Sequence, residues 1–334
     1  MNTKRIISLV ASLALVLSLS VGLTGCGDKA AQDDNQGSTD GEGTKYTVGI
    51  CQLVQHEALD AATQGFIDAL NEALPGQVKF EEKNASGDSN SCATIVNGFV
   101  SEGVDLIMAN ATAALQAAAS ATSDIPVLGT SITAYGVALD IDDFSGTVGG
   151  NVSGTSDLAD LQKQAQMILD WFPETKTVGL LFCSAEPNSR YQIGEVAKCL
   201  SDKGIETKEF AFTDTNDVTS VTQSAADYSD VVYVPTDNTA ASNTEAIANV
   251  LVPAGVPAIC GEEGICKGCG VATLSISYYD LGVTTGKMAA KILTGEADIS
   301  EMPIEFTEAT PKYNASMCET LGITPREGYT AIAE

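Results

Sequence analysis

The chain has 334 residues, enough for two domains that each bury a core of their own. Its 44 acidic against 17 basic residues give a formal net charge of -27, which excludes nucleic acid and anionic membrane surfaces as partners of the folded body. With one histidine and no P-loop, GxSxG elbow or HExxH motif, the sequence offers little to run acid-base or metal chemistry, and no enzyme, metal site or cofactor is expected.

In chain order, Lys4 and Arg5 precede the apolar run IISLVASLALVLSLSVG, which ends in Leu23-Thr24-Gly25-Cys26. This resembles a bacterial lipoprotein signal with its lipobox. The resemblance implies a signal over residues 1–26, lipidation of Cys26, and a chain held by that anchor at the cell membrane, outside the cytoplasm. The competing reading, a membrane helix that stays, fits less well because a small-residue cleavage pattern closes the run. Residues 27–45 hold no large apolar side chain and read as a flexible linker.

From Tyr46 the pattern becomes regular. TVGICQL, VKFEEK, VDLIMA and IPVLG read as strands, and ALDAATQGFIDALNEAL, SCATIVNGFVSEG and TAALQAAASAT between them as helices. That order is the signature of a parallel sheet covered on both faces. The second half repeats it: TVGLLF, SRYQIGEVAKCLSDKG, IETKEFAF, DVTSVTQSAADY, VVYVP, AASNTEAIANVLVPAG and VPAIC. Val48 pairs with Val178, Asp105 with Asp230 and Ile125 with Val256, at offsets of 130, 125 and 131 residues. A period this long is a duplicated domain, not a solenoid. The tail supplies a strand, VATLSIS, a helix, DLGVTTGKMAAKIL, and an extended run, PIEFTEA, read as return crossings between lobes. We expect α/β architecture with two similar doubly wound parallel-sheet lobes joined by a hinge, lobe one over 46–140 plus 265–300 and lobe two over 141–264 plus 301–334.

Open α/β sheets bind ligands beyond the carboxyl ends of their strands, so the cleft loops are LVQHE, NAT and TSITAY in lobe one and CSAEPNS, PTDNT and CGEEG in lobe two. VQHEALDAATQGFIDAL, NVSG at 151–154, AEPNS at 185–189, VYVPTDNT at 232–239, SYYDLG and TGKMAAKIL, in their order and spacing, resemble the aromatic amino acid type of ABC-transporter substrate-binding lipoprotein, including the tryptophan-binding members. The likeness covers about residues 47–296. It implies the type I periplasmic-binding-protein fold, capture of an aromatic L-amino acid between the lobes, and delivery to an ABC permease by a monomer. One departure is Ala134-Tyr135, where such proteins commonly carry Asp-Pro. A nucleoside or another small molecule in the same fold, for uptake or sensing, is the alternative, because fold does not fix ligand.

An amino acid presents a carboxylate, an ammonium and a side chain. For the carboxylate, Asn188 and Ser189 at one helix start and Asn110 and Thr112 at another offer backbone N–H groups, as ligand contacts or simply as caps. Arg190 stands beside them, either as a clamp or solvated. For the ammonium, Asp237, next to Asn238, and Glu262 or Glu263 stand at neighbouring strand ends. For the ring, His56, beside Gln55, and Tyr135, Tyr278 and Tyr279 are polar-edged aromatic partners, Tyr135 lining the pocket or filling it and Tyr279 with a place in the core as its alternative. CKGC at 266–269 looks like a redox or metal motif, but no second CxxC exists to complete a zinc site, and it reads as part of a glycine-rich turn. The eight cysteines after Cys26 are expected as buried thiols, with a Cys266–Cys269 loop as the alternative.

Overall fold

The computed structural model describes residues 43–333, so the signal, the lipidation reading at Cys26 and most of the linker lie outside the described residues. Among the described residues no helix is long and apolar enough to cross a membrane.

The first half runs β1 (Tyr46–Gln52), α1 (Glu57–Ala73), β2 (Val78–Asn84), α2 (Ser89–Glu102), β3 (Leu106–Asn110) and α3 (Thr112–Ala121). It continues through β4 (Val127–Ile132), the short α4 (Tyr135–Ala138) and β5 (Val152–Ser156). The second half runs α5 (Leu161–Trp171), β6 (Thr177–Cys183), α6 (Pro187–Ser201), β7 (Glu206–Phe212), α7 (Val218–Ala226) and β8 (Val231–Val234). There follow α8 (Asn238–Ala241), α9 (Thr244–Ala254), β9 (Ala258–Cys260), α10 (Glu263–Cys269) and β10 (Ala272–Ser275). The tail holds α11 (Tyr278–Thr294), β11 (Glu305–Phe306), β12 (Thr310–Tyr313), α12 (Ala315–Leu321) and β13 (Thr330–Ala331).

Two sheets form, ordered β11-β5-β4-β3-β1-β2 and β13-β12-β10-β9-β8-β6-β7. Numbered within each half, the five principal strands follow one order in both sheets, and all of those pairings are parallel. The duplication read from the sequence is carried by matching contacts. Asp105 Oδ2 accepts from the Thr47 N–H at 2.7 Å, and its counterpart Asp230 accepts from Thr177 N–H at 2.9 Å. Ile107 N–H donates to Pro126 O and Val232 N–H to Pro257 O, both at 2.9 Å. Each aspartate pins the start of a central strand, which is why the TVG openings recur.

Strand pairing places the lobe boundaries differently from the sequence reading. β5 hydrogen-bonds β4, so lobe one continues to residue 156, and β10 pairs with β9, so CKGC and VATLSIS belong to lobe two. Lobe one is then 46–156 plus 278–306, and lobe two 161–275 plus 310–333, with crossings at 157–160, 276–277 and 307–309. A strand's sequence states that it is buried, not which sheet takes it. CKGC is also no turn: it forms the last turn of α10, with Glu262 accepting from the Gly264 and Ile265 N–H groups as N-cap.

α11 returns to lobe one and lies against α1. Gly65 and Gly282 leave no room for a Cβ, which would meet Tyr279 O and Ala62 O respectively, so the two backbones touch. That contact seats Tyr278, at the first turn of α11, between the lobes.

Candidate functional site

The loops at the carboxyl ends of the strands face one another across the gap between the sheets, at the points where strand order reverses. They line a narrow, partly open chamber with room for about one water molecule. His56, Leu59, Ser131 and Thr133 line it from lobe one, and Asn188, Thr236, Asp237, Asn238, Ala241 and Glu262 from lobe two. Tyr278, at the start of α11, also lines it from lobe one, and Asp157 from a crossing.

The lobes touch across this chamber. His56 Nε2 donates to Asn238 Oδ1 at 3.3 Å, a direction set by the Asn238 amide, whose Nδ2 donates to Glu186 Oε2 at 2.7 Å and leaves the oxygen free. Burial lowers the His56 pKa, so the ring is neutral. Farther out, Lys267 Nζ lies 3.5 Å from Glu57 Oε1.

Four carboxylates surround the chamber, and their partners separate them into two kinds. Glu186 accepts from the Asn238 and Thr239 N–H groups at 3.0 and 2.9 Å and from the Thr239 hydroxyl at 2.8 Å. Asp237 caps α8, taking the Ala240 N–H on Oδ1 at 2.8 Å and the Cys183 N–H on Oδ2 at 2.6 Å. Burial, then the neighbouring Glu186 charge, push its pKa up to about 8. Glu262 caps α10, and burial raises it to about 7. Both oxygens of each of these groups are engaged.

Asp157 is different. Tyr278 donates its hydroxyl to Oδ2 at 2.9 Å, while Oδ1 is buried and has no partner. Burial raises its pKa to about 6, and the Tyr278 and Thr133 hydroxyls restrain that rise. At pH 7 it is therefore mainly ionised.

A second orphan lies in the same chamber. Ser131 Oγ is buried without a partner, and Ser131 has φ 56°, a left-handed conformation rare for a residue with a Cβ. The register between β4 and β5 shifts between Gly129 and Ile132, so a bulge aims this serine. Strain of this kind, of order 1–3 kcal/mol, persists where the surroundings enforce it and clusters at ligand clamps.

Of the residues read from the sequence, His56, Asn188, Asp237, Asn238, Glu262 and Tyr278 line the chamber. Gln55 is exposed at its outer edge. Asn110 and Thr112 are buried within lobe one, where Asn110 Nδ2 donates to Leu59 O at 2.9 Å behind the chamber wall. Ser189 is fully buried behind Asn188. Arg190 is exposed and donates to Ser184 O at 3.2 Å, away from the chamber. Tyr135 fills the core of lobe one: its hydroxyl lies 3.0 Å from Gly129 O and 3.1 Å from Thr155 O, in space that the absent side chains of Gly129 and Gly154 leave open. Asp157, Ser131 and Thr133 were not singled out in the sequence. The available signal was the run VSGTS ending in an acid, the same strand-end arrangement that marked Asp237.

A model of the ABC transporter substrate binding protein family matches residues 47–334. The chain is 32% identical over 319 residues to a tyrosine-binding protein of Clostridioides difficile (strain R20291), covering 92% of this chain and 89% of that one. It is also 32% identical to an ABC domain of Streptococcus pneumonia solved in complex with L-Trp, with a TM-score of 0.82 over 86% of this chain and 100% of that one. A ligand-free, open structure of a substrate binding protein from Clostridium difficile, again 32% identical and covering 86% of this chain and 99% of its own, superposes with a TM-score of 0.66. At equal identity the better superposition is with the ligand-bound structure, in keeping with the contacts across the chamber. Because the family match spans both lobes and the chamber they enclose, the chain belongs to the family of ABC transporter substrate-binding proteins.

Proposed function

We propose that this protein captures an aromatic L-amino acid, tyrosine or tryptophan before phenylalanine, between its lobes and hands it to an ABC permease. The observation that carries this reading is the pair of orphaned polar atoms in the chamber, Asp157 Oδ1 and Ser131 Oγ. A buried polar atom without a partner costs about 1–3 kcal/mol, so the pair describes the ligand's complement. The ammonium pairs with the free oxygen of Asp157, and the carboxylate accepts from the Ser131 hydroxyl. Tyr278 and His56 supply aromatic edges for the ring, a contact type contributing about 0.5–1.5 kcal/mol beyond burial. The two relatives named for tyrosine and crystallised with L-Trp support an aromatic side chain.

The chamber is narrow and the lobes touch across it, so we take entry to require the lobes to part at their three crossings. Closure then brings His56 to Asn238 and Glu57 to Lys267. The ligand leaves chemically unchanged. The Cys26 lipobox supports anchoring of the chain at the membrane, where the closed form meets the permease.

A thermal-shift screen of the lipid-free chain against the twenty amino acids, nucleosides and simple sugars tests the reading. Tyrosine or tryptophan is expected to raise the melting temperature most. A nucleoside that raises it while no aromatic amino acid does so would refute the proposal.

A further inference from the structure

Lobe two carries a group of thiols for which ligand capture has no use. Cys260 ends β9, and Cys266 and Cys269 lie three residues apart on α10, a spacing that puts both on one helix face. All three are buried at 2% exposure or less, within one apolar cluster. The Cys260 sulfur lies close enough to the sulfurs of both helix cysteines to interact with each. Cys269 directs its thiol to Ile265 O at 3.3 Å, which leaves Cys266 as the neighbour of the Cys260 sulfur. Gly270 makes the approach possible: a Cβ there would collide with the Cys260 sulfur and stand 3.0 Å from Cys266 Cα. Asn314 holds the other side, donating through Nδ2 to Cys266 O at 3.0 Å and Lys267 O at 2.8 Å. Among the described residues no group of three or more Cys, His, Asp or Glu is arranged to hold a metal ion. The arrangement is one of sulfur facing sulfur.

We propose that Cys260 and Cys266, both thiols in this structure, are a disulfide-forming pair that ties α10 to the end of β9. Each thiol gives up one proton and one electron. An organic disulfide accepts them, its S–S bond breaking into two thiols as the protein's S–S bond forms. The staple acts on a helix that borders the chamber. α10 presents its cap, Glu262, to the chamber and extends Lys267 to within 3.5 Å of Glu57 in lobe one. The inference does not depend on which ligand the chamber holds.

Peptide mapping of the full chain tests it. The protein is equilibrated overnight with oxidised glutathione, or with dithiothreitol, and then denatured in an alkylating reagent. Cleavage after Glu262 and Glu263 separates the two cysteines. In the oxidised sample, Cys260 and Cys266 are expected to escape alkylation and to appear in one cross-linked pair of peptides, lighter by two hydrogens than their sum. Dithiothreitol restores both to alkylation and lowers the melting temperature of the oxidised form. Cys269→Ser should leave the cross-link in place. Complete alkylation of Cys260 and Cys266 after oxidation, a bond joining Cys266 to Cys269, or loss of the cross-link in Cys269→Ser would overturn the assignment.

Discussion

Asp237 and Asp157 both stand just past the end of a strand and both line the chamber, yet they do opposite work. Asp237 spends its two oxygens on backbone N–H groups of its own lobe. Asp157, on a crossing between lobes, gives one oxygen to Tyr278 and keeps the other unpaired. An acid at a strand end is therefore not a ligand group by position alone. What distinguishes the two is whether the fold has already satisfied it.

Substitution at Asp157 should have the largest effect. Asp157→Asn removes the charge meant for the ammonium and should weaken amino acid binding by at least about 30-fold, since truncating one partner of a buried charge pair costs about 2–5 kcal/mol. Titration calorimetry reads this, and undiminished affinity would erase the contrast. Asp237→Ala should instead lower stability by about 1–3 kcal/mol through the lost cap and the stranded Cys183 N–H, while the folded fraction still binds. Denaturant melts alongside calorimetry would expose a loss of affinity without a loss of stability, the reverse of what is expected.

Acid sharpens the comparison further. Ammonium binding needs Asp157 ionised, so affinity should fall about tenfold per pH unit below about 6 and level off above it. The ligand-free protein should show the opposite trend in stability. Asp157, Glu262 and Asp237, raised by burial to about 6, 7 and 8, keep protons in the folded state that the unfolded chain has already lost. Their contribution is present near pH 4 and declines as pH rises through those values. Melts of ligand-free protein from pH 4.5 to 8.5 would test the sign of this term, with Asp157→Asn removing its share.

Smaller effects mark the edges of the site. Tyr135→Phe should cost about 1 kcal/mol of stability and leave ligand affinity unchanged, because its hydroxyl bonds only the lobe-one backbone. Lys267→Ala should change affinity least, by a factor of about five at most. Its ion pair with Glu57 is exposed on both sides, and such pairs contribute about 0.2–1 kcal/mol.

The architecture was legible because duplication writes the same periods twice: Asp105 and Asp230, then Pro126 and Pro257, repeat in sequence and recur as equivalent contacts. Lobe boundaries were less so, since β5 and β10 are read as buried strands whichever sheet accepts them. The site was half legible. Strand-end loops led to His56, Asn188, Asp237 and Glu262, but nothing local says that Asp237 is saturated by Cys183, 54 residues earlier, or that Asp157 meets Tyr278, 121 residues later. Tyr135 misled for a related reason. The room it occupies is made by Gly129 and Gly154, and only the paired strands bring those glycines to its hydroxyl.

Whether Asp157 holds the ammonium of an aromatic amino acid is read directly by removing that ammonium from the ligand. Binding of L-tyrosine and of its des-amino analogue, 3-(4-hydroxyphenyl)propionate, is measured by calorimetry on the same lipid-free protein at pH 7.5. The analogue should bind at least about 30-fold more weakly, the same factor that Asp157→Asn imposes on tyrosine. Equal affinity for the two compounds would contradict it.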